Sequence, residues 1–147
     1  MEFDRNRFME LSKQEIDCFR EGTSLYEKNL KDYMELLKFK IAVQDTIFWL
    51  NRKIYITVIK KFIAKKINCE EFIDQFILLW ETDRDTSLEN CEPITGSQGF
   101  TNYMTEIFKS CDLFELEAQK NQHYDEKWLR TSVNDVLIQI QKEYNFN

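Results

Sequence analysis

No glycine or proline interrupts the chain between Gly22 and Pro93, and the full sequence of 147 residues holds only three glycines and one proline. All-β folds use these two residues in their many turns, so their scarcity favours helices. A chain of this length forms one ordinary domain. We therefore predict an all-α fold, a compact antiparallel bundle of five or six helices in a single domain over residues 1–147.

The stretch from Cys69 to Asp85 has the clearest helical pattern. Its apolar residues recur at spacings of three and four, which places them on one helical face. These residues are Phe72, Ile73, Phe76, Ile77, Leu79 and Trp80. The helix then ends in Glu81, Asp83 and Asp85, which predicts a packed helix that displays an acidic turn. A core helix with a solvated end is the simpler explanation of the periodicity alone.

Capping signals predict where helices begin. Side chains that can accept a backbone N–H of the first turn mark four starts. The predicted starts are Ser12, Ser24, Asn68 and Asp125. Gly22 is expected to end the first short helix, and a break is expected near Asn51. Residues 53–67 have the β-branched composition of a strand, but their apolar residues step by three and four, so we predict a helix.

Charge is unevenly distributed along the chain. The formal net charge is −6, from 26 acidic and 20 basic residues, which opposes general binding to nucleic acid and suits a basic partner. Residues 52–67 carry six basic and no acidic side chains, whereas residues 68–92 carry eight acidic side chains and one basic side chain, Arg84. A lysine-rich helix can bind nucleic acid or an anionic membrane. The alternative, which we favour, is a solvated basic face balanced by the acidic helix beside it.

The residues offer little catalytic chemistry. His123 is the one histidine, no phosphate-binding glycine motif occurs, and no spacing selects a metal site. We therefore expect no enzymatic activity, no cofactor and no metal. The four cysteines lack a CxxC pair, and the charged first residues do not resemble a secretory leader. We therefore expect the cysteines to be free thiols in a reducing compartment. This compartment is the cytoplasm, or an organelle stroma if the gene is in a plastid. No apolar run is long enough to cross a membrane.

Three segments of the chain form one recognisable pattern: TVIKKFIAKKINCEEFIDQFILLWETDRD at 57–85, FTNYMTEIFKSCDLF at 100–114 and YDEKWLRTSVNDVLIQIQKEY at 124–144. The pattern is an EEF helix start with aromatic steps and a DRD close, then a helix ending in D-F, and a terminal helix opened by DE..LR. It resembles that of the colicin D-type immunity proteins, a self-protective family of bacteria. The resemblance implies that residues 53–147 form an immunity-protein-like helical core, preceded by an N-terminal helical extension over residues 1–52.

The resemblance also implies a function, which is to bind a tRNA-cleaving toxin domain and cover its active site. An acidic surface can occupy a basic ribonuclease cleft in place of RNA, with fast and salt-sensitive association. We expect a basic protein partner rather than nucleic acid or a membrane, and a monomer or weak dimer. The predicted contact residues form two acidic groups: Glu81, Asp83, Asp85, Glu89 and Glu92, and then Asp112, Glu115 and Glu117.

A structural or adaptor subunit of a larger assembly, for instance in an organelle, is the alternative function. The helices predicted before residue 53 and the many Phe and Tyr side chains motivate this hypothesis. Isolation of the native protein in a large stable complex would favour it, whereas a lone monomer or dimer would favour the inhibitor.

Overall fold

The computed structural model describes residues 2–117, 120 and 122–146. Within these residues lie seven α-helices, one short 3-10 helix (Gln122–Tyr124) and no strand. The α-helices are α1 (Arg5–Arg20), α2 (Leu25–Lys28), α3 (Leu30–Leu50), α4 (Arg52–Ile63), α5 (Cys69–Arg84), α6 (Phe100–Glu117) and α7 (Glu126–Tyr144). The all-α prediction is confirmed, with more helices than the five or six expected.

Several helix boundaries lie where local sequence signals predicted them. The Asn68 side chain accepts from the backbone N–H of Glu71 at 2.8 Å, and the Glu71 carboxylate accepts from the N–H of Asn68 at 3.2 Å. This reciprocal capping box opens α5. Asp125 caps α7, and Asn51 lies between α3 and α4. The segment 53–67, despite its strand-like composition, holds most of α4.

The start of the chain differs from the prediction. α1 begins at Arg5 rather than Ser12, because the Asp4 side chain accepts a first-turn backbone N–H at 3.1 Å and caps the helix earlier. Ser24 does cap a helix, but α2 is only four residues long. Asn29, with an extended backbone (φ −153°), ends α2 and then caps α3. This break divides one predicted helix into two.

The buried apolar side chains form two clusters that meet along α3. The larger cluster gathers side chains from α4 to α7 and the end of α3, and it includes the stacked rings of Phe62 and Phe72, whose centroids are 4.2 Å apart. The smaller cluster packs α1 and α2 against α3 through residues such as Phe8, Leu25 and Phe39. α3 therefore contributes to both clusters.

Two buried polar residues of α3 hold the loop between α5 and α6. The Asp45 carboxylate accepts from the backbone N–H groups of Gly99 at 2.8 Å and Thr101 at 3.0 Å. Thr46 Oγ1 accepts from the N–H of Ile94 at 2.9 Å. A carboxylate at a helix N-terminus makes charge-assisted hydrogen bonds and complements the helix dipole. Asp45 therefore caps α6, and α3 determines where α6 begins.

α5 and α6 pack side by side in opposite directions. Near the end of α5, the Trp80 ring stacks on Phe108 with centroids 4.0 Å apart, and its Nε1–H donates to Thr105 Oγ1 at 3.3 Å. Burial raises the pKa of the Cys111 thiol to about 12, and Cys69 at the start of α5 adds to the shift. The later turns of α6 therefore run toward the start of α5.

Candidate partner-binding surface

One face of α5 carries four carboxylates and one apolar side chain in a row. Its members follow each other at intervals of three or four residues, so a helix with about 3.6 residues per turn places them on one side. They are Glu70, Asp74, Leu78, Glu81 and Asp85, all exposed. At about 1.5 Å per residue the row is roughly 22 Å long. We call it the α5 stripe.

The orientation of the α5 stripe follows from what the other side of the helix buries. That opposite face packs into the larger cluster through Phe72, Ile73 and Phe76. Sequence prediction singled out only the acidic end of α5 and missed Glu70, Asp74 and Leu78. The same helical spacing that identified the apolar face, applied to the remaining residues, would have found them.

Asp83 is buried, so its predicted place in an exposed acidic turn is wrong. The residue is 4% exposed. Its Oδ1 accepts from Asn51 Nδ2 and its Oδ2 from the Tyr55 hydroxyl, both at 2.8 Å. Burial raises the pKa of Asp83, and these two hydrogen bonds oppose the shift. Because α5 stays helical here, Asp83 points roughly 200° around the helix from Glu81 and Asp85, and its carboxylate is unavailable to a partner.

Asp85 is exposed but is paired with Arg84. The Arg84 Nε and Nη2 atoms donate to the two carboxylate oxygens of Asp85 at 2.9 and 3.0 Å. The guanidinium also lies over the Trp80 ring, 5.2 Å from its centroid. This pairing lowers the pKa of Asp85, so the carboxylate is ionised at neutral pH. Glu81, by contrast, forms no ion pair within the described residues.

Glu89 and Glu92 extend the acidic surface along the loop that follows α5. Both side chains are exposed. Arg5 Nη1 lies 3.8 Å from the Glu92 carboxylate, and Arg5 Nη2 donates to the backbone oxygen of Glu89 at 2.6 Å. The loop is therefore tied to the first residue of α1, and Glu92 is partly neutralised.

The second predicted acidic group lies on the last turns of α6. Its members are Asp112 and Glu115, which are exposed, and Glu117, which is half-buried. Because α5 and α6 are antiparallel, this group lies beside the start of α5, roughly 16 Å along that helix from Glu81. The structure therefore places the two predicted groups at opposite ends of the α5–α6 pair. Glu70 lies at the end nearer the second group, and Asp74 lies along α5 between Glu70 and Glu81.

Three exposed lysines of the basic segment at residues 52–67 make no ion pair with an acidic side chain among those described, namely Lys61, Lys65 and Lys66. Arg52 places its guanidinium over the Trp49 ring, 4.5 Å from the centroid. For these three lysines the predicted balance with the acidic segment does not take the form of ion pairs. In the α5 stripe, Asp85 is paired with Arg84, whereas Glu70, Asp74 and Glu81 form no ion pair among the described residues.

The described part of the chain contains no grouping of three or more His, Cys, Asp or Glu residues suited to a metal ion. All four cysteines are free thiols. His123 is exposed, and its ring meets that of Tyr124 edge-on at 5.2 Å. Among the helices described, none is both long enough and apolar enough to span a membrane.

A family model described as bacterial self-protective colicin-like immunity matches residues 52–140, more than half of the chain. The match spans α4, α5, α6 and most of α7, and so contains the α5 stripe. The chain therefore belongs to the family of colicin-like immunity proteins, which confirms the resemblance seen in the sequence. No curated protein and no solved structure matches it.

Proposed function

We propose that the protein is an immunity protein that inhibits a toxin by binding its nuclease domain through an acidic surface. The partner is a basic domain, of the tRNA-cleaving type that the resemblance implies, and the bound inhibitor covers its active site. The observation that carries this proposal is the α5 stripe, a straight row of exposed carboxylates inside the family match. An inhibitor of this kind acts by occlusion and needs no catalytic group.

The α5 stripe suits a cleft that normally holds RNA. Glu70 and Asp74, and likewise Glu81 and Asp85, lie about 6 Å apart along the helix, while Leu78 separates the two pairs by roughly 10 Å. The negative charges therefore follow one line, as phosphates do along a strand. A ribonuclease cleft presents Lys and Arg to such a line of charge. Because the helix is already formed, little conformational entropy is lost when it binds. Opposite charges on the two proteins also accelerate their encounter.

Leu78 gives the α5 stripe an apolar centre. The residue is 66% exposed and lies between Asp74 and Glu81. Protein interfaces commonly combine a desolvated apolar centre with a polar rim. We therefore assign Leu78 to the contact surface, with Glu89 and Glu92 at one end and Asp112 and Glu115 at the other. Glu117 is peripheral to this surface, and Asp83 is not part of it.

Binding of the purified protein to the nuclease domain of a toxin encoded beside its gene tests the proposal. The stripe variant combines Asp74→Asn with Glu81→Gln. We expect its affinity to fall at least about tenfold, mainly through slower association, and its protection of tRNA from cleavage to fall in parallel. Thermal melting should barely change, since exposed charges contribute only about 0–1 kcal/mol per pair.

The matched control combines Glu106→Gln with Asp135→Asn, two exposed carboxylates on α6 and α7. It makes the same change in net charge outside the α5 stripe and should bind the toxin as the natural protein does. Raising the salt concentration from about 50 to about 500 mM should reproduce the loss of affinity in the natural protein. Equal binding by the two variants would show that the α5 stripe does not contact the toxin, and no binding at all would reject the proposed function.

A further inference from the structure

An apolar patch lies at the end of α1 and on α2, outside the family match. Its exposed members are Phe19, Tyr26 and Ile16, with 81%, 58% and 50% of their surface accessible. Phe19 is the most exposed large apolar side chain among the described residues. We call these three residues the Phe19 patch. Single exposed apolar residues are ordinary, but a contiguous group of them marks an interaction site.

A groove of about 400 Å³ opens within the Phe19 patch. Besides the three patch residues, Leu25 and Tyr33 supply its apolar lining. The rings of Tyr26 and Tyr33 meet at a right angle with centroids 5.3 Å apart, and Leu25 is buried. A protruding phenyl ring and an apolar groove therefore stand side by side on one surface.

The backbone around the Phe19 patch is held in place by local hydrogen bonds. Thr23 N–H donates to the Cys18 oxygen at 3.0 Å, and Gly22 supplies the left-handed turn between α1 and α2 with φ +80°. The Ser24 hydroxyl then accepts from the N–H of Glu27 at 3.1 Å and caps α2. Phe19 is therefore exposed on a backbone segment that these hydrogen bonds hold in a folded conformation.

Two acidic side chains near the Phe19 patch are paired with lysines. Lys40 Nζ lies 2.6 Å from the Glu15 carboxylate, and Lys28 Nζ lies 2.8 Å from the Glu21 carboxylate. A strongly basic protein or a polyanion gains little from such a surface. A partner that surrounds an apolar surface with paired charges fits it better, and the same face of a second copy has that arrangement.

We propose that the Phe19 patch pairs with the same patch on a second copy of the chain, related by a twofold axis. In such an isologous contact each surface meets its own copy, so a projection beside a groove is self-complementary. Phe19 of one copy enters the groove between Ile16 and Tyr33 of the other. This inference goes beyond the proposed function and does not depend on a toxin.

The size of the Phe19 patch limits the area that the dimer can bury. Counting roughly 200 Å² for a fully exposed side chain of this size, the three residues expose roughly 380 Å² per copy. Two copies and a polar rim then bury about 1,000 Å² in total, which is the lower limit for a specific interface. The dimer is therefore weak, with a Kd on the order of 1–100 µM.

Sedimentation velocity over a series of concentrations around the expected Kd tests the dimer. The natural protein should move from monomer to dimer as the concentration rises, and hydrogen exchange in residues 15–26 should slow in parallel. Phe19→Asp should weaken association by at least about tenfold, and Phe19→Ala should weaken it less. Neither change removes a buried contact, so both variants should melt at the temperature of the natural protein.

Ile54→Asp is the matched control, because Ile54 is an exposed apolar residue on α4, 49% accessible. It should dimerise normally, as should the double stripe variant that loses toxin affinity. A natural protein that stays monomeric at every concentration overturns the proposal. So does a dimer that Phe19→Asp leaves intact. If the natural protein is monomeric and the Phe19→Asp variant loses toxin binding, the Phe19 patch contacts the toxin and not a second copy of the chain.

Discussion

The N-terminal helices and the family-matched helices are stabilised in different ways. The larger cluster, built from α4 to α7 and the end of α3, depends on stacked aromatic rings such as Phe62 on Phe72. The smaller cluster is supplemented by ion pairs between helices, in which Arg7 contacts Asp32 at 3.0 Å and Glu35 at 2.9 Å. A small apolar core buries less area and is therefore stabilised less by burial. Ion pairs at partly exposed positions then supply a larger share of its stabilising free energy.

This difference indicates that stability is unequal along the chain. Regions with fewer buried contacts open at lower free energy than the rest of a protein. We expect α1, α2 and the first half of α3 to open before α4 to α7. The predicted boundary between residues 1–52 and 53–147 stays a prediction, and polar contacts cross it: Asn51 Nδ2 donates to Asp83, and Gln44 Nε2 donates to the Asp83 backbone oxygen at 3.1 Å.

The largest expected effect separates the two clusters directly. Phe72→Ala should lower the free energy of unfolding by about 3–5 kcal/mol and accelerate hydrogen exchange throughout the chain. Phe39→Ala in the smaller cluster removes a ring of the same size. It should accelerate exchange mainly in α1, α2 and the first half of α3. Native-state hydrogen exchange by mass spectrometry distinguishes these outcomes, and identical exchange patterns would show one cooperative unit.

The next largest effect concerns the joint between the two regions. Asp45→Ala leaves the N–H groups of Gly99 and Thr101 without their acceptor, so it should cost about 2 kcal/mol. Urea denaturation followed by tryptophan fluorescence measures the loss. Asp45→Asn keeps one acceptor oxygen and should cost less. A variant with unchanged stability would show that α6 does not depend on α3 for its cap.

A smaller effect tests the ion pairs of the N-terminal helices. Arg7→Met keeps the aliphatic part of the side chain and removes the charge that pairs with Asp32 and Glu35. Hydrogen exchange in α1 should become faster, while exchange in α5 and α6 should not change. High salt should accelerate exchange in α1 of the natural protein and have little effect on the variant, because salt screens exposed charge pairs. Equal sensitivity to salt in both proteins would contradict this role of Arg7.

The smallest expected effect is the pH dependence contributed by Asp83. Its pKa is raised by burial, so the folded state binds the proton more tightly than the unfolded state does. The free-energy cost of the buried charge is therefore fully present when the pH is above the pKa of Asp83 in the folded state. This cost is relieved as the pH falls through that pKa. Relative to Asp83→Asn, the natural protein should gain stability on acidification and then level off below the unfolded pKa. Urea denaturation at a series of pH values measures the difference between the two proteins, and a constant difference would contradict the raised pKa.

Sequence reasoning was reliable where a feature depends on residues a few positions away. The caps at Asn68 and Asp125 and the break at Asn51 are confirmed, because each involves neighbours within about one helical turn. The same reasoning placed the first helix start at Ser12 and did not identify Asp4, although its capping bond to Arg7 is equally local. The spacing of the exposed residues along α5 also identifies Glu70 and Asp74, which the predicted acidic turn did not include.

The failures at the candidate site have a different cause. Asp83 resembles its exposed neighbours in the sequence, but it is buried and accepts hydrogen bonds from Tyr55 in α4 and from Asn51, which lies between α3 and α4. Asp45 caps a helix that begins far along the chain at Phe100. No local pattern encodes partners at such separations, because they depend on how the helices pack. Whether Glu81 and the other exposed carboxylates contact a toxin stays a prediction.

The cap that Asp45 provides for α6 has a consequence for folding during synthesis. At about 5–20 residues per second, the ribosome takes roughly 3–11 s to advance from Asp45 to Gly99, which are 54 positions apart. During that time the carboxylate has none of its native partners and stays hydrated, so the second half of α3 cannot finish packing. A nascent chain that ends before Gly99 therefore lacks both backbone partners of Asp45, and we expect the second half of α3 to reach its final packing only after the start of α6 has left the ribosome.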